Sequence, residues 1–158
     1  MTPRRTHATP EILTDGRRDE ATGVDDAASA RVARQYRETV EAGDPLALAE
    51  LYSSDALLDY HVPGWRFQVQ GREAVARQVC VLPRPGRFTT FDAEPIPGGL
   101  LVQFAWQQDD AAGGAVVRQL QRWRLADGRL AGQLAFCAGV WSRQLQERMA
   151  LEAPLVRP

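Results

Sequence analysis

Apolar positions recur at two different periods along the chain, and the change of period divides it into a helical first part and a β-rich second part. Over residues 26 to 44, DAASARVARQYRETVEAGD, the residues Val32, Tyr36 and Val40 stand at every fourth position, with arginine and glutamate between them. That spacing puts them on one face of an α-helix, with Asp25 and Asp26 as candidate N-caps. Gly43 ends this helix, Asp44 caps the next and Pro45 takes its first position. Leu46, Ala49, Leu51 and Tyr52 give the second helix a short apolar face. Ala56 to Val62 reads as a strand stopped by Pro63-Gly64, and Gly71 precedes a third helix from Arg72 to about Leu82, stopped by Pro83 and Pro85.

From residue 88 onward the period is two. Strands are expected at Phe88 to Ile96, Leu100 to Gln108, Ala115 to Leu125 and Arg129 to Ala138. Pro97-Gly98-Gly99 turns the first pair, and Ala126-Asp127-Gly128 is a hairpin signal between the last two. SRQLQERMALEA then has helical composition. Three helices followed by an antiparallel meander predict an α+β layout. Residues 1 to 25 carry one short apolar patch, Ile12-Leu13, in a Thr, Arg, Asp and Glu background, which predicts a disordered arm. The expected organisation is this arm, a domain over 26–142, and a C-terminal helix and tail over 143–158.

Composition narrows the functional classes. A formal net charge of −1 gives no electrostatic case for nucleic acid or an anionic membrane as partner. No apolar run approaches the ~18 residues of a membrane span, and the N-terminus lacks the apolar stretch of a secretory signal, so a cytoplasmic protein is expected. The two cysteines, Cys80 and Cys137, lie in apolar settings and read as free thiols rather than a disulfide or a metal site. All basic residues are arginine, as GC-rich bacterial coding would give. The absence of lysine excludes a Schiff-base mechanism.

The stretch QYRETVEAGDPLALAELYSSDALLDYHVPGWRFQVQGREAV, Gln35 to Val75, resembles the first half of the nuclear-transport-factor-2-like superfamily, which includes SnoaL-like polyketide cyclases and ketosteroid isomerases. The resemblance implies a cone-shaped α+β fold, three N-terminal helices packed on a curved antiparallel sheet, enclosing a small-molecule pocket. Against the ketosteroid isomerase pattern, Tyr36 stands eight residues before Asp44 as that pattern requires. The position of the isomerase's proton-abstracting aspartate falls on Tyr60, between Asp59 and His61. The string QRWRLADG puts Gln121 where the isomerase carries an oxyanion-binding acid. Tyrosine is a poor base near neutral pH, with a reference pKa of about 10, so the isomerase reaction itself is not expected.

Strand alternation leaves two registers open. If Tyr60 faces the pocket with Leu58, Asp59 and His61 face away together. SnoaL-like relatives often carry a histidine before Val-Pro-Gly, as His61 stands here, and in that register Asp59 and His61 face the pocket. The structural alternatives are a plain strand-end histidine and a core tyrosine at position 36. Gln119 and Gln121 share a face with Val117, Trp123 and Leu125, which suggests a partly polar cavity. Trp65 and Phe67 follow Pro63-Gly64 at an expected pocket mouth, while Trp106, Trp123, Gln133 and Cys137 are candidates to line its walls. Asp92 and Glu94 are weak substitutes for the acids of epoxide-hydrolase relatives. Arg118, Leu120, Arg122 and Arg124 occupy the opposite face, where family members dimerise.

Two functional readings follow. One is a cofactor-independent enzyme that cyclises, isomerises or dehydrates a polyketide-like, apolar or polycyclic metabolite. In it Asp59 and His61 move the proton, and Tyr36, Tyr60 and Gln121 donate to a developing oxyanion. The other is a small-molecule-binding or protein-pairing module of the same fold, homodimeric in either case, with no cofactor or metal.

Overall fold

The computed structural model describes residues 26–109, 114–153 and 155. The expected N-terminal arm lies outside these residues. Among the described residues the order is α1 (Asp26–Ala42), α2 (Pro45–Ala49), β1 (Tyr52–Val62), β2 (Trp65–Gln70), α3 (Arg72–Val79), β3 (Gly86–Ile96), β4 (Gly99–Gln108), β5 (Val116–Ala126), β6 (Arg129–Trp141) and α4 (Arg143–Glu152). The six strands form one sheet in the order β2-β1-β6-β5-β4-β3.

That order corrects the expectation of an antiparallel sheet. Every neighbouring pair is antiparallel except β1 and β6, which run parallel. The reason is topological. After the β1–β2 hairpin, α3 carries the chain to the far edge, and the β3–β6 meander returns across the sheet to meet β1. With alternating directions over four strands, β6 arrives pointing the same way as β1.

A strand absent from the sequence reading is β2. WRFQVQ alternates apolar and polar residues at period two, and Pro63-Gly64 is the hairpin turn that leads into it, with Gly64 at φ 75°. Elsewhere the local signals act as expected. Asp44 Oδ1 accepts from Leu46 N and Ala47 N at 2.9 and 3.0 Å, capping α2. Asp127 and Gly128 both take positive φ, as a tight two-residue hairpin turn requires. Helix α3 stops at Val79, short of the expected Leu82, and α2 ends at Ala49 because Tyr52 already pairs with Leu130 of β6.

One face of the sheet is covered by helices, α1 against β3 and α3 against β1 and β2. Val32, Tyr36 and Val40 are buried on α1 and Val75 and Ala76 on α3, against Leu58, Val102, Trp106, Val117 and Trp123 of the sheet. Arg84, in the loop after α3, ties these layers together. Its guanidinium donates to Glu41 O at 3.2 Å and to Val40 O at the C-terminus of α1, and it stacks over the Trp106 ring at 5.3 Å. The other face carries Arg118, Leu120, Arg122 and Arg124 outward. Helix α4 buries no side chain and is capped by Ser142 Oγ, which accepts from Leu145 N at 3.2 Å. No described helix is long and apolar enough to cross a membrane.

Candidate functional site

Between the helices and the inner face of the sheet lies a cavity of about 320 Å³, near the lower end of the roughly 300–1,000 Å³ of small-molecule sites. Tyr36 of α1, Gln78 and Val79 of α3 and the following Leu82-Pro83 form one wall. Leu58, Tyr60, Phe67, Phe104, Val117, Gln119, Gln121 and Cys137 of the sheet form the other. Among the described residues the lining holds no carboxylate, imidazole or guanidinium. Its polar groups are phenols, amides and one thiol.

Those polar groups are joined. Gln119, Gln121 and Gln133 are buried side by side on β5 and β6, where Gln121 sits opposite the small Ala135. Gln119 Nε2 donates to Tyr60 Oη at 2.6 Å and Gln121 Nε2 to Gln119 Oε1 at 2.7 Å. Gln121 Oε1 accepts twice, from Trp123 Nε1 at 2.5 Å and from Gln133 Nε2 at 3.2 Å. Tyr52 Oη donates to Gln133 Oε1 at 2.7 Å and closes the buried end. Buried amides on an apolar face are tolerable only when bonded, and here each one is. Tyr36 lies against Gln133 and Gln121; burial nonetheless pushes its pKa well above the ordinary tyrosine value. Burial does the same to Tyr60, aided by the neighbouring Cys137, and to Tyr52. All three phenols are neutral donors near neutral pH, and none serves as a base.

Of the two registers, the structure takes the one in which Leu58 and Tyr60 face the cavity. Asp59 and His61 therefore lie on the opposite face of the sheet, because side chains alternate along β1. There Arg66 Nε and Nη2 grip the Asp59 carboxylate at 2.9 and 2.6 Å, Gln68 Nε2 donates at 3.1 Å, and His61 Nε2 is 3.4 Å away. The His61 ring stacks on Phe136 at 4.6 Å. Expected to handle a proton in the pocket, Asp59 and His61 instead belong to a surface ion cluster.

Arg66 first, then Gln68, holds the Asp59 carboxyl down at about 2. A depressed carboxylate stabilises the fold above its unfolded value, about 3.9, and that contribution is lost as pH falls through about 2. The Asp59 carboxyl ¹³C resonance should titrate with a midpoint near 2, and Arg66→Ala should return it to the ordinary range. An unchanged midpoint in Arg66→Ala would refute the assignment.

The remaining expected site residues divide by depth. Tyr36, Tyr60, Gln121, Phe67 and Cys137 line the cavity. Gln133 and Trp123 lie just behind it, holding its floor rather than meeting its contents. Trp106 is buried with no exposure, its Nε1 donating to Pro83 O at 2.8 Å, so it is core beneath the wall. Trp65 is 71% exposed on the hairpin and outside the lining, because the cavity's edge on β2 is Phe67. Tyr52, expected at the end of α2, instead begins β1. Only the pairing of β1 with β6 brings it to Gln133, 81 residues away.

No family model matches the sequence, and no curated protein does. Solved structures do match. A provisionally assigned ketosteroid isomerase of Kribbella flavida superposes with a TM-score of 0.58 at 16% identity, over 73% of this chain and 82% of the other. A provisionally assigned isomerase of Bacillus subtilis gives 0.54 at 14%, over 71% and 87%. A nuclear-transport-factor-2-like protein of unknown function from Mesorhizobium loti gives 0.51 at 23%, over 72% and 93%. The mixed six-stranded sheet, its helix-covered face and these superpositions together show that the chain has the nuclear-transport-factor-2-like fold.

Proposed function

We propose that the cavity binds a small, uncharged, largely apolar molecule. The observation that carries this reading is the lining itself: apolar side chains with neutral phenols, amides and a thiol. A buried ionic ligand has no counter-charge among the described lining residues, and leaving a charge unpaired in such a place is prohibitive. A neutral ligand gains from every apolar contact.

The test uses 2-ethylnaphthalene against naphthalene-2-sulfonate in calorimetric titrations. The hydrocarbon is expected to bind and the sulfonate to bind at least roughly tenfold more weakly, the margin of an unpaired buried charge. Leu82→Trp, which fills the cavity from a loop position, should remove binding, whereas Asp59→Asn and His61→Ala should leave it unchanged. Binding that is indifferent to the sulfonate, or lost in Asp59→Asn, would sink the reading.

A second reading is catalytic: cofactor-independent isomerisation, cyclisation or dehydration of a polyketide-like metabolite in the same cavity. It is favoured by the convergence of Tyr36 and Tyr60 on one space, an arrangement suited to an oxygen on which negative charge develops. Cys137 is then the lining group at hand to carry a proton. Deuterium exchange at the methyl group of bound 2-acetonaphthone reads this directly. Exchange at the buffer rate counts against catalysis and leaves the binding reading standing.

A further inference from the structure

The cavity's hydrogen-bonding sense is set from behind its floor. An indole N–H can only donate. Trp123 Nε1 donates to Gln121, so the oxygen of that amide must point back toward Trp123, where Gln133 Nε2 also meets it. Turning the Gln121 amide over would bring its NH₂ against both donors and leave them buried and unpaired. With its oxygen so fixed, Gln121 presents Nε2 to Gln119, which must answer with Oε1. Gln119 Nε2 is thereby aimed at Tyr60 Oη. The Tyr60 oxygen is occupied as an acceptor, and its proton is left for the cavity side, where the neighbouring group is the Cys137 thiol. Sulfur is a weak acceptor, and this one already takes the Gly139 N–H at 3.3 Å.

We propose that Trp123 is a positioning residue: through the Gln121 and Gln119 amides it holds the Tyr60 hydroxyl as a donor into the cavity, so that the cavity selects uncharged ligands bearing a carbonyl over the matching alcohols. The proposal rests on the binding reading above and names the ligand chemistry of that site. A carbonyl displaces the thiol as acceptor for the Tyr60 proton. An alcohol can accept the same bond, but its own O–H then enters a space beside Tyr60 where the Gln119 and Gln121 oxygens are already in use. Head-to-tail donation along Trp123, Gln121, Gln119 and Tyr60 also polarises each successive bond, which strengthens the last donor.

The experiment compares 2-acetonaphthone, 1-(2-naphthyl)ethanol and 2-ethylnaphthalene on the wild-type protein, Trp123→Phe and Gln119→Glu. Affinities come from calorimetry and the carbonyl stretch of the bound ketone from infrared difference spectra. Trp123→Phe removes the group that can only donate; Gln121 and Gln133 can then turn together, because the Tyr52 hydroxyl behind Gln133 accepts as well as donates. Gln119→Glu, read at a pH where its carboxyl is ionised, puts an acceptor-only carboxylate beside Tyr60 and draws its proton inward, which tests the relay even if Trp123→Phe does not fold. In the wild type the ketone should bind roughly tenfold more tightly than the alcohol, the margin of one unpaired buried O–H. Its carbonyl stretch should fall below the value in hexane. In the variants the ratio should approach one and the stretch return toward hexane, a shift that a merely structural role for Trp123 would not produce. Equal binding of all three probes to the wild type overturns the inference and leaves the cavity reading intact. No binding of any probe overturns both. A ratio and stretch unchanged in the variants overturns the relay.

Discussion

Trp106→Ala should lower the unfolding free energy by about 3–5 kcal/mol, the range for truncating a fully buried aromatic, read as a shift of the urea midpoint with the slope preserved. The indole has no exposure and meets Phe88 edge-on at 5.0 Å, with the Arg84 guanidinium over its ring. Its Nε1 satisfies Pro83 O, part of the cavity wall. Gly86 makes the fit possible, since a Cβ there would stand 2.6 Å from Nε1. Truncation therefore opens a void, orphans a carbonyl and loosens the loop that carries Arg84 away from α1. Ligand affinity should fall far less than stability, because the side chain does not line the cavity and reaches it only through the Pro83 wall. Trp106→Phe should retain most of the packing and lose mainly the Pro83 bond. A Trp106→Ala protein of wild-type stability with weakened binding would reverse the assignment from core to cavity wall.

What was legible in the sequence was whatever a few neighbouring residues decide. The Gly43-Asp44-Pro45 junction states its own geometry, since Asp44 reaches backbone amides two and three residues on. Strict alternation along β5 assigns Gln119, Gln121 and Trp123 to the inner face and the arginines to the outer one. Strand β2 is equally legible in its alternation, but Pro63-Gly64 by itself marks a strand end as readily as a hairpin turn, and only the pairing of β2 with β1 decides between them.

Pairings were not legible. Whether Asp59 or Tyr60 faces the cavity turns on a one-residue register, which reverses every side chain of the strand. That register is fixed by β6 on one side and β2 on the other. The parallel β1–β6 contact likewise depends on the path of the whole meander. The polar floor is the most non-local feature of all: Tyr52, Tyr60, Gln121 and Gln133 come from three strands, and the hydrogen-bonded pair Tyr52 and Gln133 stands 81 residues apart in the sequence.

The consequence of that convergence is that Gln121 is the residue of the polar floor whose loss should be felt most. Gln121→Leu is close in volume, so no large void forms. It strands Trp123 Nε1, Gln133 Nε2 and Gln119 Oε1 together. At about 1–3 kcal/mol for each unpaired buried group, reduced where neighbours turn to find each other, a loss of about 3–5 kcal/mol is expected. Gln121→Glu separates hydrogen bonding from shape. The protonated acid keeps an oxygen for Trp123 and Gln133 and offers its O–H to Gln119, reproducing the amide; the ionised form buries a charge with no partner of opposite sign. Folding must then raise the pKa of the introduced group above its unfolded value, about 4.3. The sign follows: stability close to wild type below that value, falling as pH rises toward neutrality. Urea midpoints for the wild type and both variants between about pH 4 and pH 8 measure it, the lower limit lying near the reference carboxylic pKa. A Leu variant as stable as the wild type would mean that the amide chain contributes nothing to the fold. A Glu variant with no pH dependence beyond that of the wild type would mean that water reaches the floor of the cavity.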